Sequence, residues 1–197
     1  MPTHSTPKPR TARSRKEILD AAFELAMAHG YAKLTMEGVA ARARVGKQTI
    51  YRWWPSKAAL ALDVLNDRIG ATTDFPDTGD IAADLTTQIT AVANLFNSPM
   101  APIFRGVIAD AQSDLRVAEA VAATFLGPRA DACATRLDRA VAAGQIRDDI
   151  PTADMVELLY GPLYYRVLLR GLTLTTDHAI TALHSVLEGL ARKPNPA

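Results

Sequence analysis

The sequence predicts an all-α protein, and three observations point that way. Apolar residues recur at steps of three and four along most of the 197 residues; Ile81, Leu85, Ile89, Val92 and Phe96 form one such stripe. Where the pattern breaks, a glycine, a proline or a capping hydroxyl stands at the break, as at helix ends. No stretch alternates apolar and polar residues for the length of a useful strand. The expected architecture has nine to ten helices. A three-helix N-terminal unit containing a helix-turn-helix is followed by a fourth helix, which joins it to a larger helical C-terminal part.

Residues 1–11 are rich in proline, threonine and basic side chains, and read as a disordered basic arm. Helix 1 is expected from near Arg13, with Thr11 or Ser14 as cap. Its apolar face combines Ile18, Ala22 and Leu25 with Leu19, Phe23 and Ala26, and Gly30 ends it. Thr35 is a good N-cap for helix 2, with Glu37 favourably placed in the first turn. After a turn at residues 44–46, a short third helix runs from Lys47 to about Trp53 and is stopped by Pro55. Ser56 caps a fourth helix, whose stripe is Leu60, Val64, Leu65 and Ile69. Residues 70–80 read as a linker. Helices then follow over 81–96, from Pro99 and Pro102 to about Ala111, and from Asp114 to Phe125. Pro128 and Pro151 sit at the first turns of two more, ending near Gly144 and Arg170. Thr176 caps the last helix. Gly161-Pro162 should kink the helix that contains them.

Composition narrows the class. Apolar residues make up 48% of the chain and charged residues 22%, the balance of a globular protein. No run approaches the roughly 18 apolar residues of a membrane span. The start has no apolar stretch of the secretory type, and Cys133 is the one cysteine, so an intrachain disulfide is impossible. A cytoplasmic protein is expected, without membrane contact. The net charge of +1 hides an asymmetry: residues 1–57 hold eleven Lys/Arg and four Asp/Glu, the remainder eleven and seventeen. A basic head on an acidic body suits nucleic-acid contact at one end, or is a solvated surface that happens to be lopsided. No P-loop, G-x-S-x-G, H-E-x-x-H or dinucleotide fingerprint occurs. No enzyme activity, cofactor or metal is expected.

The informative stretch is 34–60, LTMEGVAARARVGKQTIYRWWPSKAAL. Two short helices with a tight turn make the geometry in which the second helix enters the major groove of DNA. Ala40 and Ala43 allow close approach of the helices; Val45 and Ile50 would plug the corner. Lys47 can bond guanine or a phosphate, Gln48 can pair with adenine, and Thr49 can meet a thymine methyl or a phosphate. Tyr51, Trp53 and Lys57 carry donors for phosphate oxygens, as does the Thr35 hydroxyl. Arg44 and Arg52 complete the candidate set. Against this, Tyr51, Trp53 and Trp54 can instead be core aromatics closing a small domain, and for Trp54 packing is the favoured reading.

These residues resemble the DNA-binding domain of TetR-type regulators. The match covers about residues 12–72, with the helix-turn-helix at 35–54. Its core is Thr49-Ile50-Tyr51-Arg52-Trp53-Trp54-Pro55-Ser56-Lys57, which is far more specific than a generic two-helix spacing. One position departs: the turn residue before Val45 is usually glycine and here is Arg44, which would bear modest strain if φ there is positive. Residues 105–112, the segment around Gly144 and GPLYYRVLLRG at 161–171 resemble one C-terminal subfamily. The resemblance implies a homodimeric repressor on a palindromic operator. Its residues 73–197 would hold a small-molecule effector and the dimer contact. The last two helices would form a four-helix bundle with their symmetry mates, through Met155, Leu159, Leu163 and Val167 on one and Ile180, Leu183 and Leu187 on the other. The former is apolar nearly all round, which also demands burial on more than one side.

Other positions carry weaker signals. Phe96, Met100, Phe104, Phe125, Tyr160 and Tyr164 can line an effector pocket or simply fill the core. Cys133 is a small buried residue before it is a redox sensor. His184 and Glu188 share a helix face, but two ligands make no metal site. Lys8, Arg10, Arg13 and Arg15 can enter a minor groove or stay disordered. The competing classes are an all-helical enzyme or interaction module carrying a borrowed head, and a regulator without an effector.

Overall fold

The structure is a computed structural model and describes residues 9–191. Ten α-helices occur among them. They are α1 Pro9–His29, α2 Met36–Arg42, α3 Lys47–Tyr51, α4 Lys57–Ile69, α5 Ile81–Phe96, α6 Ala101–Ala111, α7 Leu115–Val121, α8 Gly127–Ala142, α9 Thr152–Tyr164 and α10 Thr176–Leu190. 3-10 turns at Tyr31–Lys33 and Gly70–Thr73 follow α1 and α4. π-helical turns at Ala122–Leu126 and Tyr165–Leu169 prolong α7 and α9. The described residues contain no strand, only an isolated bridge between Ile146 and Ala191. The all-α class is as expected.

Most helix ends follow from local chemistry. Thr35 Oγ1 accepts from the Gly38 N–H at 3.1 Å. Asp80 Oδ1 accepts from Ala82 and Ala83, and Ser56 Oγ from Ala59. Two boundaries differ from expectation. Helix α1 starts at Pro9, four residues before Arg13, so Thr11 and Ser14 fall inside it. The expected arm over 1–11 lies outside the described residues as far as Lys8. The cap of α10 is Thr175, whose Oγ1 accepts from His178 N–H at 3.2 Å, and Thr176 is the first helical residue. Two adjacent threonines offer the same hydroxyl, and only the extended backbone at Thr175 selects between them. Pro162 lies within α9, where its missing N–H removes one helical bond. The helix winds on, then loosens to a π turn closed by Arg170 N–H on Tyr165 O at 3.0 Å.

Two compact units emerge. Among the described residues, the first comprises Pro9–Arg68 together with Pro102–Val121. It therefore holds α1 to α4 and nearly all of α6 and α7. Its core includes Ile18, Leu19, Ile50, Leu60, Leu65 and Ile103, all essentially inaccessible to solvent. The second comprises Ile69–Ala101 and Ala122–Ala191, holding α5, α8, α9 and α10. Leu85, Ile89, Leu137, Met155, Leu163 and Leu174 fill it. Between α5 and α8 it also buries a charge pair. Arg136 Nε donates to Asp84 Oδ2 at 2.8 Å, and Nη2 lies 2.6 Å from the same oxygen without hydrogen-bond alignment. Thr78 supplies Asp84 with its backbone N–H and its hydroxyl.

Candidate nucleic-acid interface

The helix-turn-helix is built from α2 and α3. Helix α2 ends in a Schellman turn: Val45 N–H reaches Ala40 O at 3.0 Å and Arg44 N–H reaches Ala41 O at 3.2 Å. Such a turn needs a left-handed residue, and Arg44 takes φ 55, alone among the described non-glycine residues. The family-usual glycine at this position thus has a backbone reason, and arginine bears the strain. The exposed Arg44 side chain projects from the corner. Gly46 is extended and precedes α3 as its N-cap.

Helix α3 presents two faces. Ile50 points inward and is fully buried, while Val45 is half-buried beside it in the corner. Lys47, Gln48 and Arg52 are exposed and Thr49 is half-buried. Tyr51 is 48% and Trp53 37% exposed, whereas Trp54 is 3% exposed. The aromatic ambiguity in the sequence is thereby resolved: Trp54 packs inward and its Nε1–H donates to Asp63 Oδ2 at 2.8 Å. The same oxygen accepts from Arg15 Nη2 at 2.8 Å, so Arg15 braces α1 against α4 and is not a free arm. Arg13 pairs with Glu17 one turn along. Arg52 lies over the Trp53 ring, 5.9 Å from its centre. Lys47 lies 3.4 Å from Glu37, and Glu37 titrates below its ordinary range because its own backbone N–H and Lys47 stabilise the anion. Thr35 Oγ1 is engaged as the cap of α2.

Lys57 is half-buried, its Nζ standing 4.3 Å above the ring of Tyr31. Tyr31 in turn donates its hydroxyl to Asp110 Oδ2 at 2.6 Å. Sequence reading missed Tyr31 and Asp110, which lie 79 residues apart and share no local pattern.

In the second unit, Phe96 meets Tyr164 edge-on at 5.7 Å between ring centres, and Tyr160 lies 6.4 Å from Tyr164. Burial pushes Tyr164 up to about 12, and Tyr160 higher still. Tyr160 O–H donates to Gln88 Oε1 at 2.5 Å, and Gln88 Nε2 to Thr73 O at 3.3 Å. Met100 and Phe125 are buried in the same unit, while Phe104 is buried in the first. A cleft of about 550 Å³ opens between residues 70–77 and α8, lined by Phe75, Arg129, Arg136 and Arg139. None of the six residues expected to form a pocket lines that cleft. Cys133 is fully buried and burial pushes its thiol up to about 12, against a redox role.

The expected dimer residues need correction. Met155, Leu159, Leu163, Val167 and Leu183 are at most 2% exposed within one chain, so they fill its own core and have no surface for a partner. Ile180 and Leu187 are half-buried. The apolar side chains that α9, its extension and the segment just after them leave outside are Leu158, Tyr165, Leu169 and Leu172, from 41 to 77% exposed. Because α9 is apolar all round, its sequence could not say which stripe faces inward.

Comparisons with known proteins agree with this architecture. Residues 18–64 match the family model of bacterial regulatory proteins, tetR family, and residues 75–186 the model of the tetracyclin repressor-like C-terminal domain. The chain is 32% identical over 164 residues to the uncharacterized HTH-type transcriptional regulator YdeS of Bacillus subtilis strain 168, covering 83% of each protein. It is similar to the crystal structure of the TetR family transcription regulator SCO0332, with 36% identity and a TM-score of 0.79, covering 91% of this chain and 100% of that one. The fold is also that of Thermus thermophilus FadR, a TetR family repressor solved with lauroyl-CoA, at 21% identity and a TM-score of 0.70, with 93% and 98% covered. Among the described residues no helix is long and apolar enough to cross a membrane. The chain belongs to the TetR family of DNA-binding transcription regulators.

Proposed function

We propose that the chain acts in the cytoplasm as a homodimeric repressor that grips a palindromic operator and is released by a small-molecule effector. In this reading residues 12–72 are the DNA-binding domain and 73–197 carry the effector site and the dimer contact. The observation that carries it is the outer face of the helix-turn-helix. Lys47, Gln48, Tyr51, Arg52 and Trp53 are exposed together around a buried Ile50. Gln48 reads a base edge, Lys47 a guanine or a phosphate, and Thr49 a thymine methyl or a phosphate. Thr35, Arg44, Tyr51, Arg52, Trp53 and Lys57 hold phosphates of the flanking strands. Two such heads read half-sites about 34–36 Å apart, which requires a dimer.

The exposed apolar side chains Leu158, Tyr165, Leu169 and Leu172 support a second copy docking on α9 and its extension. Ile180 and Leu187 of α10, both half-buried, keep some surface for the same partner. The effector site is the aromatic group of Phe96, Tyr160 and Tyr164, with Met100 and Phe125 in the same unit. The lauroyl-CoA held by Thermus thermophilus FadR supports a small-molecule effector of partly apolar character.

The test is binding of the purified chain to its own upstream intergenic DNA across a salt series, with mass by light scattering. A dimer binding one segment with a steep salt slope is expected. Gln48→Ala should relax preference at one base pair, and Leu169→Glu should yield monomers with weakened operator binding. A monomer without sequence preference would defeat the reading.

A further inference from the structure

Lys57 opens α4 with its ammonium above the Tyr31 ring, and that ring is fixed from two further directions. Its hydroxyl is held by Asp110 near the end of α6. Its edge lies against Gly106 so closely that a Cβ there would stand 2.2 Å from Cδ1 and 2.7 Å from Cγ. Only glycine at 106 lets the ring occupy this place. Tyr31 is 6% exposed, and the whole arrangement lies inside the first compact unit.

We infer that Tyr31, seated on Gly106 and tethered by Asp110, is a positioning residue for DNA binding that holds the Lys57 ammonium ready for an operator phosphate. The inference rests on the reading of Lys57 as a phosphate clamp. A lysine stem has four free torsions, and fixing them on binding costs rotamer entropy. A stem already held over a ring loses less. The ring face attracts the ammonium, and a carboxylate drawing on the phenol proton makes that face more electron-rich. Three N–H donors radiate from Nζ, so those turned away from the ring remain for phosphate oxygens. Burial, reinforced by Asp110, raises the phenol's pKa and keeps the hydroxyl a donor at neutral pH. Tyr31 and Lys57 fall in the region matching the N-terminal family model and Asp110 in the C-terminal one. A displacement of α6 therefore reaches the clamp through a single side chain.

The test is a double-mutant cycle on the full chain, read by fluorescence anisotropy with its upstream intergenic duplex over a salt series. Lys57→Met should weaken binding and lower the salt slope by about 0.9, one phosphate contact. Tyr31→Leu should weaken binding about threefold to tenfold when Lys57 is present. In the Lys57→Met background it should have no further effect. Tyr31→Phe, which keeps the ring, should recover part of the loss. If Tyr31→Leu does not fold, Asp110→Asn replaces it, with a smaller loss that again vanishes without Lys57. Equal losses in both backgrounds would make Tyr31 a merely structural residue and overturn the inference. A Lys57→Met protein with unchanged affinity and slope would overturn it too, while leaving the DNA-binding reading in place. A wild-type chain that binds no duplex would remove both.

Discussion

In the first unit the ion pairs stand in solvent, whereas the second closes one away from it. Lys47–Glu37 and Lys16–Asp20 keep between 36 and 69% of their side-chain surface exposed, against 4% for Arg136 and 0% for Asp84. An exposed pair contributes roughly 0–1 kcal/mol, so Lys47 can leave Glu37 for a phosphate at little cost. A buried pair cannot be broken so lightly, because the surviving charge loses its close countercharge where water does not reach it. The first unit thus keeps its charge at a surface where pairs can be exchanged at little cost. The second uses fixed charge to hold α5 against α8 and the turn at Thr78.

The largest effect expected from this contrast is that of Arg136→Ala. It should cost about 3–5 kcal/mol in urea unfolding, because Asp84 keeps its Thr78 donors but is left buried without a countercharge. Replacing both partners, as Arg136→Met with Asp84→Leu, should restore much of that loss. A single substitution costing under about 1 kcal/mol would erase the distinction between the units.

Acid should expose the same pair. Burial alone would raise the Asp84 pKa, but Thr78 and Arg136 outweigh it and hold the carboxyl below its ordinary 3.8. A carboxyl whose folded pKa is depressed contributes stability that is fully present above the unfolded value. That stability is lost as pH falls through the folded value. Urea midpoints should therefore hold steady from pH 7 to 5 and drop below pH 4. Asp84→Asn should be less stable at pH 7 and show a shallower acid drop.

Next in size come the two Schellman turns. Gly144, at φ 70, closes α8 with the same pair of backbone bonds that Arg44 makes after α2. Gly144→Ala should cost about 1 kcal/mol and Arg44→Gly should gain about as much, read as opposite shifts in melting temperature. Arg44→Gly should at the same time lower the DNA salt slope by about 0.9 if Arg44 meets a phosphate. A gain in stability with no change in slope would leave Arg44 outside the interface. The smallest effect should be Lys16→Ala, within about 0.5 kcal/mol of wild type.

Much of the exposed face of the helix-turn-helix was legible because it is contiguous in sequence. Thr35, Arg44, Lys47, Gln48 and Tyr51 lie within 17 consecutive residues, and helical period alone sends Ile50 inward and its neighbours out. Capping is equally local, which is why Thr35, Ser56, Asp114 and Gly144 could be read directly. Arg44 was legible in a stronger sense, since its departure from glycine foretold the one positive φ at a described residue with a side chain.

The rest required chain segments to meet. Tyr31 and Asp110 are 79 residues apart, and Arg136 and Asp84 are 52 apart; neither pair leaves a mark on local composition. The inner stripe of α9 could not be phased from a helix apolar on every side, so Met155 and Leu159 were misread as outward. Nor could spacing reveal that α6 and most of the head share one compact unit. Period, caps and turns are decided by a residue and its neighbours within a few positions, so the sequence by itself determined the helices and which side of α3 stays exposed. Burial and charge pairing depend on which surfaces remain once distant helices have packed, and only the tertiary structure decided those.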